Sequence, residues 1–137
     1  MKVYFASFHR LPLAESRFAA ASSANITLVG GRWRLNISIP PNYPNAAPTI
    51  TFKTKICHPN VNFTTGEICL DLLKERWSPA YTISSTLTSV HQLLTSAEPD
   101  SPLNVDVAVL MREGDQLAAE SLIRFYTEVE RDGEDGR

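Results

Sequence analysis

Apolar and polar residues alternate most cleanly over 31–39, where Trp33, Leu35, Ile37 and Ile39 interleave with Arg32, Arg34, Asn36 and Ser38. A two-residue period predicts a strand with one face in the core. Gly30-Gly31 reads as a turn before it, which makes 26–29 its expected hairpin partner. Pro40-Pro41 ends the strand, and Tyr43-Pro44 with Pro48 keeps 40–48 extended and irregular. A third strand is expected over 49–53, with Ile50 and Phe52 pointing one way, and a fourth over 18–21.

Beyond residue 80 the period changes to a helical one. Ile83, Leu87, Val90 and Leu94 mark a helix over 83–97, with Thr82 or Ser84 as its cap and Pro99 as its stop. Asn104 can cap a short helix over 105–112 that Gly114 ends. Asp115 can cap a final helix carrying Leu117, Leu122, Phe125 and Val129, and a frayed tail is expected over 131–137. Strands first and helices afterwards define an α+β domain.

The 83–97 helix is unusual in having no Asp, Glu, Lys or Arg between Arg76 and Glu98. Ser84, Thr88, His91, Gln92 and Thr95 share one face. An uncharged polar face is either half-buried within the protein or kept for a partner, because charge is depleted at interface cores. Both readings stand on the sequence.

Composition narrows the class. At 137 residues, 43% hydrophobic and 20% charged, the chain suits a single soluble domain over 1–137 that buries a core without disulfides or metals. Its two cysteines, Cys57 and Cys69, form neither a disulfide framework nor a C-x-x-C pair, so a reduced, cytoplasmic setting is expected. No apolar run reaches the length of a membrane span, so direct membrane insertion is not expected. Residues 1–66 carry seven Lys/Arg against one acid, and 67–137 six against fourteen. This is a dipolar surface, or one end that steers an acidic protein partner. The basic residues are scattered without interleaved aromatics, which excludes nucleic acid as the expected partner.

The candidate chemistry lies between residues 56 and 79. Cys57-His58-Pro59-Asn60, Gly66-Glu67-Ile68-Cys69-Leu70-Asp71 and Trp77-Ser78-Pro79 place a thiol, an amide and a carboxylate close together, with Pro and Gly precluding a regular helix. Cys69 follows a glycine in a loop, and a thiolate suits acyl transfer because it both attacks a thioester and leaves readily. The alternative is a small buried hydrophobe. Asn60 can donate to an oxyanion or bond the loop backbone, and the two roles can coexist. His58 reads as a turn-former and Trp77 as a core or loop anchor. Asp71 and Ser101 are candidates for orienting an incoming amine. Adjacent Cys57 and His58 with Cys69 fit no usual zinc spacing, so no metal is expected.

From Gly30 to Val129 the chain resembles the ubiquitin-conjugating enzymes. The likeness rests on Gly30-Gly31, Tyr43-Pro44 with Pro48, His58-Pro59-Asn60, Ile68-Cys69-Leu70-Asp71, Trp77-Ser78-Pro79-Ala80 and Ser101-Pro102-Leu103-Asn104, in order and without insertion. It implies a four-stranded antiparallel meander with flanking helices. It implies that Cys69 accepts ubiquitin from an activating enzyme and that Asn60 supports attack on the thioester. Asp71 then places the acceptor, Ser101 stands at a gate, His58, Pro59 and Trp77 shape the loop, and Thr88 with Gln92 meets the donor ubiquitin. No cofactor is implied, since ATP is used by the activating enzyme.

Asn62-Phe63-Thr64-Thr65-Gly66-Glu67 and Glu98-Pro99-Asp100-Ser101-Pro102 look most like the peroxisomal branch. That branch implies transfer to Lys or Cys of a peroxisomal import receptor, beside a membrane-anchored peroxin and ring-finger ubiquitin ligases, at the cytosolic face of the peroxisomal membrane. Residues 1–29 depart from the pattern. Too little chain precedes the first strand and Leu11-Pro12-Leu13 interrupts it, so the family's first helix is expected to be short or missing. Two other readings follow from this departure: a conjugating-fold module that binds ubiquitin or a ligase without being charged, or a carrier for another ubiquitin-like modifier.

Overall fold

The computed structural model describes residues 2–7, 33–98 and 100–135. Among the described residues three strands make one antiparallel sheet in the order β1 (Lys2–Ser7), β2 (Arg34–Ile39), β3 (Thr49–Phe52). Three helices follow: α1 (Ile83–Thr95), α2 (Val105–Arg112) and α3 (Gln116–Asp135). The α+β reading holds, and the period-two pattern accounts for the sheet. In β2 Leu35 and Ile37 are buried while Arg34 is exposed, and in β3 Ile50 and Phe52 are buried while Thr49 is exposed. The register pairs Leu35 with Phe52 and Ile37 with Ile50, so the apolar rows of the two strands coincide.

The first hairpin differs from expectation. Residues 26–29 and 18–21 lie outside the described residues, but both edges of β2 are taken, by β3 and by β1. Lys2 to Ser7 pair with Ile39 to Arg34, so the hairpin partner of β2 is the start of the chain. Beyond β3, the chain returns at Glu67 to bridge Thr51, antiparallel, in the place of a fourth strand.

Gly66 makes this return. Its φ is +72°, and its carbonyl accepts the Phe52 N–H at 2.8 Å. A Cβ at this position would overlap the Phe52 carbonyl, so the backbone of β3 leaves no room for a side chain.

Thr82 caps α1 in a reciprocal box: its Oγ1 accepts from the Ser85 N–H at 3.1 Å, and Ser85 Oγ accepts from the Thr82 N–H at 3.0 Å. Val90, Leu93 and Leu94 bury the inner face of the helix. Thr86 is buried with them because its hydroxyl donates to the Thr82 carbonyl at 2.8 Å. Asn104 occupies the cap position of α2, but its side chain makes no capping bond there. Gly114, at φ +80°, ends that helix, and Asp115 Oδ1 accepts the Ala118 N–H at 3.0 Å to start α3.

The final helix forms as expected. Ala119 and Ile123 are buried, Leu122 and Tyr126 pack against the core, and Leu117, Phe125 and Val129 are exposed. Leu117 and Leu122 are five residues apart, about 140° around a helix, so Leu117 lies off the face that Leu122 turns to the core. The helical backbone continues through Asp135, into the stretch read as a frayed tail.

The core joins the sheet to the helices through Leu35, Ile37, Phe52, Val61, Leu94 and Ile123. Burying each such side chain stabilises by about 1.5–3 kcal/mol. This core forms the floor under the segment that carries the candidate chemistry.

Candidate active site

The segment runs inward from β3. Ile56, Cys57, His58, Pro59, Asn60 and Val61 are all buried, so the His-Pro-Asn turn is part of the core rather than a surface loop. Both cysteines are free. Burial, with the Asp106 carboxylate adding to it, pushes the Cys57 thiol up to about 11. That leaves it protonated and shielded at neutral pH. Cys69 is half-exposed and is the thiol that solvent reaches.

His58 shapes the turn. Its Nδ1 accepts the Asn60 N–H at 3.1 Å, which fixes the neutral tautomer with the proton on Nε2. Its carbonyl accepts the Val61 N–H at 3.2 Å. Nε2 finds no partner in good hydrogen-bond geometry. Burial lowers the imidazole pKa from 6.5 to about 4, and the nearby Leu93 and Leu94 carbonyls only partly oppose this. The unfolded chain therefore takes up a proton at a pH where the folded chain does not. Stability is full above about pH 6.5 and is expected to fall as pH drops towards 4, by up to roughly 3 kcal/mol. Urea unfolding at several pH values checks this: His58→Gln is expected to be less stable at pH 7 but to show a flatter slope between pH 6.5 and 4.

Asn60 ties three segments together. Its Oδ1 accepts the Glu98 N–H at 2.8 Å. Its Nδ2 donates to the Glu98 carbonyl at 2.7 Å and to the Ser101 carbonyl at 3.1 Å. Its own carbonyl accepts the Cys69 N–H at 2.8 Å. The side chain is fully buried, and both amide protons are engaged. The neighbouring Pro59 carbonyl accepts the N–H groups of Leu103 and Asn104, at 2.8 and 3.0 Å. The turn thus clamps Glu98, Ser101, Leu103 and Asn104 on one side and the thiol-bearing segment on the other.

Around Cys69 the predicted residues divide by role. Asp71 is exposed and opens a short 3-10 turn over Asp71–Leu73. Ser101 is exposed, with its backbone held by Asn60. Trp77 stands apart as an anchor: its Nε1 donates to the Pro44 carbonyl at 2.8 Å, and its ring lies 6.0 Å from those of Tyr43 and Tyr81. Thr88 and Gln92 are exposed on α1, whereas His91 and Thr95 on the same face are half-buried. Glu98, whose backbone meets Asn60 twice, was not singled out from the sequence as a site residue; Pro99 and Pro102, which follow it and flank Asp100-Ser101, were the available sign of a tight loop. Among the described residues no His/Cys/Asp/Glu group could hold a metal ion, and no helix is long and apolar enough to cross a membrane.

A sheet followed by helices holds a half-buried thiol beside a buried His-Pro-Asn turn. Residues 21–126 match the family described as "Ubiquitin-conjugating enzyme", and the chain belongs to that family. Within it, the chain is 53% identical over 96 residues to the ubiquitin-conjugating enzyme E2 PEX4 of Gibberella zeae, covering 70% of this chain and 56% of that one. It is 49% identical over 98 residues to Protein PEROXIN-4 of Arabidopsis thaliana, covering 72% and 62%. Its fold matches the crystal structure of H. polymorpha ubiquitin conjugating enzyme Pex4p in complex with the soluble domain of Pex22p, with a TM-score of 0.69, 41% identity, and 72% and 66% coverage. The likeness is therefore to the peroxin branch. The aligned part spans less than two thirds of the length of these two curated relatives.

Proposed function

We propose that this chain carries ubiquitin as a thioester on Cys69 and passes it to a lysine or cysteine of a peroxisomal import receptor. The observation that carries the reading is the contrast between its two thiols: Cys57 is sealed in the core, and Cys69 is half-exposed and tied to the Asn60 carbonyl. In the loading step the Cys69 thiolate attacks the thioester of the activating enzyme, whose own thiolate leaves. Such an exchange needs no adjacent general base, which suits a site whose His58 is buried and neutral.

In the transfer step an acceptor amine attacks the Cys69 thioester, and charge develops on its carbonyl oxygen. Asn60 supports this by holding residues 98–104 and Cys69 in register. Direct donation to the oxyanion requires one amide proton to leave its carbonyl, and the Ser101 bond is the longer of the two. Asp71 and Ser101, both exposed, orient the acceptor, and Thr88 with Gln92 meets the donor ubiquitin. The chain needs no cofactor of its own, ATP being used by the activating enzyme.

By likeness to the peroxin-branch relatives, the chain works in the cytoplasm, at the cytosolic face of the peroxisomal membrane. Its partners there are a membrane-anchored peroxin and a ring-finger ubiquitin ligase. The test is incubation with activating enzyme, ATP and ubiquitin. A reductant-sensitive adduct is expected, abolished in Cys69→Ala and retained in Cys57→Ala. If no adduct forms at any enzyme concentration, the chain is a binding module rather than a carrier.

A further inference from the structure

Val61 and Ile68 face each other in an antiparallel bridge, and the hairpin between them has Cys69 at the end of its return arm. The hairpin is bonded to itself. The Asn62 N–H donates to the Glu67 carbonyl at 2.9 Å, and the Gly66 N–H to the Asn62 carbonyl at 2.8 Å. Asn62 Oδ1 accepts the N–H groups of Thr64 and Thr65, both at 2.9 Å, and Thr65 Oγ1 accepts the Glu67 N–H at 3.3 Å. A hairpin so closed moves as one piece, and the thiol one residue past its bridge moves with it. On one side it is tied to β3, by the Phe52–Gly66 hydrogen bond and the Thr51–Glu67 bridge. Two ties along one strand edge act as a hinge rather than a clamp.

The second restraint is Phe63. Its ring meets that of Tyr126 on α3 edge-on, with centroids 5.0 Å apart and planes at 62°, and Lys55 Nζ lies 5.5 Å from the ring centroid. Both arrangements are attractive for an aromatic ring. Tyr126 packs on the core one turn beyond the buried Ile123, so the Phe63 ring leans on a fixed element. Phe63 is the one large apolar residue of 62–67; Thr64, Thr65 and Glu67 are exposed and offer no substitute. We propose that Phe63 is a positioning residue for Cys69: seated on Tyr126, it stops the hairpin rocking on β3 and so holds the thioester where an acceptor can attack it.

The inference deepens the carrier function proposed above and rests on it. Attack on the thioester carbonyl needs a narrow geometry, and a displacement of about 1 Å can cost up to a hundredfold in rate. Asp71 lies on the same arm as Cys69, whereas the Ser101 backbone is held by Asn60. Rocking of the hairpin therefore shifts the thioester relative to Ser101, and it pulls on the bond from the Cys69 N–H to the Asn60 carbonyl. The two contacts of the Phe63 ring are each modest, so their loss loosens the hairpin without dissolving the core beneath it.

The experiment is single-turnover discharge of the charged full chain to free lysine, over a range of lysine concentrations. Phe63→Ala is expected to lower the rate constant at saturating lysine about tenfold and to leave the half-saturating concentration unchanged. Tyr126→Ala should do the same, the double variant should be no slower than either alone, and Phe63→Tyr, which keeps the ring, should restore the rate. Loss of folded protein lowers the yield of thioester but not the rate constant of molecules already charged, so lowered stability does not mimic this result. Amide exchange supplies a second readout: exchange at Cys69 should accelerate at least about tenfold more than across the central strand β2. Where alanine leaves too little folded chain, Phe63→Leu fills the site without a ring and carries the same expectations. A rate constant unchanged in these variants, or exchange at Cys69 that rises only in step with β2, overturns the proposal alone. Absence of any thioester on the unsubstituted chain overturns the carrier function and the proposal together.

Discussion

Asn60→Ala is expected to lower stability by roughly 3 kcal/mol and to slow discharge of the Cys69 thioester to lysine, while loading from the activating enzyme persists. The side chain makes three hydrogen bonds to the backbone of Glu98 and Ser101. Alanine leaves those three groups without partners in a partly buried place, at about 1 kcal/mol each. Loading depends on Cys69, which is held by the Asn60 backbone carbonyl and not by its side chain. In the proposed mechanism discharge also draws on Ser101, whose backbone the side chain holds together with that of Glu98. Asn60→Asp sharpens the test: the carboxylate still accepts from the Glu98 N–H but turns oxygen towards the Glu98 and Ser101 carbonyls, so it should be no more stable than alanine. Denaturant unfolding and single-turnover discharge to free lysine measure the two effects. Unchanged discharge in a destabilised Asn60→Ala would confine this residue to a structural role.

Gly66→Ala is expected to be at least as damaging to the fold, costing more than about 3 kcal/mol. Two penalties combine: a left-handed backbone that alanine adopts poorly, and a Cβ placed on the Phe52 carbonyl. Relief of the overlap would require β3 to move, breaking the Phe52–Gly66 hydrogen bond and the Thr51–Glu67 bridge. Because Glu67 leads directly to Cys69, the thiol would move too. Thermal unfolding and the yield of thioester should fall together. By contrast Gly114→Ala meets no atom at its Cβ and carries only the backbone penalty, which makes it the matched control.

How far the sequence revealed this arrangement depended on the range of the interaction. Leu35, Ile37, Ile50 and Phe52 were readable because their environment follows a two-residue period within each strand, and Val90 and Leu94 because theirs follows a helical one. The family was readable because the residue types around Cys69 and their order are distinctive. The pairing of Lys2–Ser7 with β2 was not: its partner lies some thirty residues away, and nothing local favoured it over residues 26–29. The partners of Asn60 were hidden for the same reason, 38 and 41 residues along the chain. The inner face of α3 was hidden differently. The large apolar side chains at 117, 125 and 129 are exposed, whereas the buried positions at 119 and 123 are an alanine and an isoleucine one turn apart.

The outer face of α1 offers Ser84, Thr88 and Gln92 and no charge. Such a surface neither attracts a partner from a distance nor holds it by ion pairs, so a free partner would dwell on it only briefly. A partner covalently joined to Cys69 is in another regime. Its effective concentration is set by the length of its tether, in the millimolar range for a short flexible one, and a contact too weak to capture it from solution then suffices to orient it. If Cys69 carries an acyl group as proposed, such a neutral helix face is suited to a guest that arrives by bond and leaves by bond, with little non-covalent affinity to overcome once the thioester is spent.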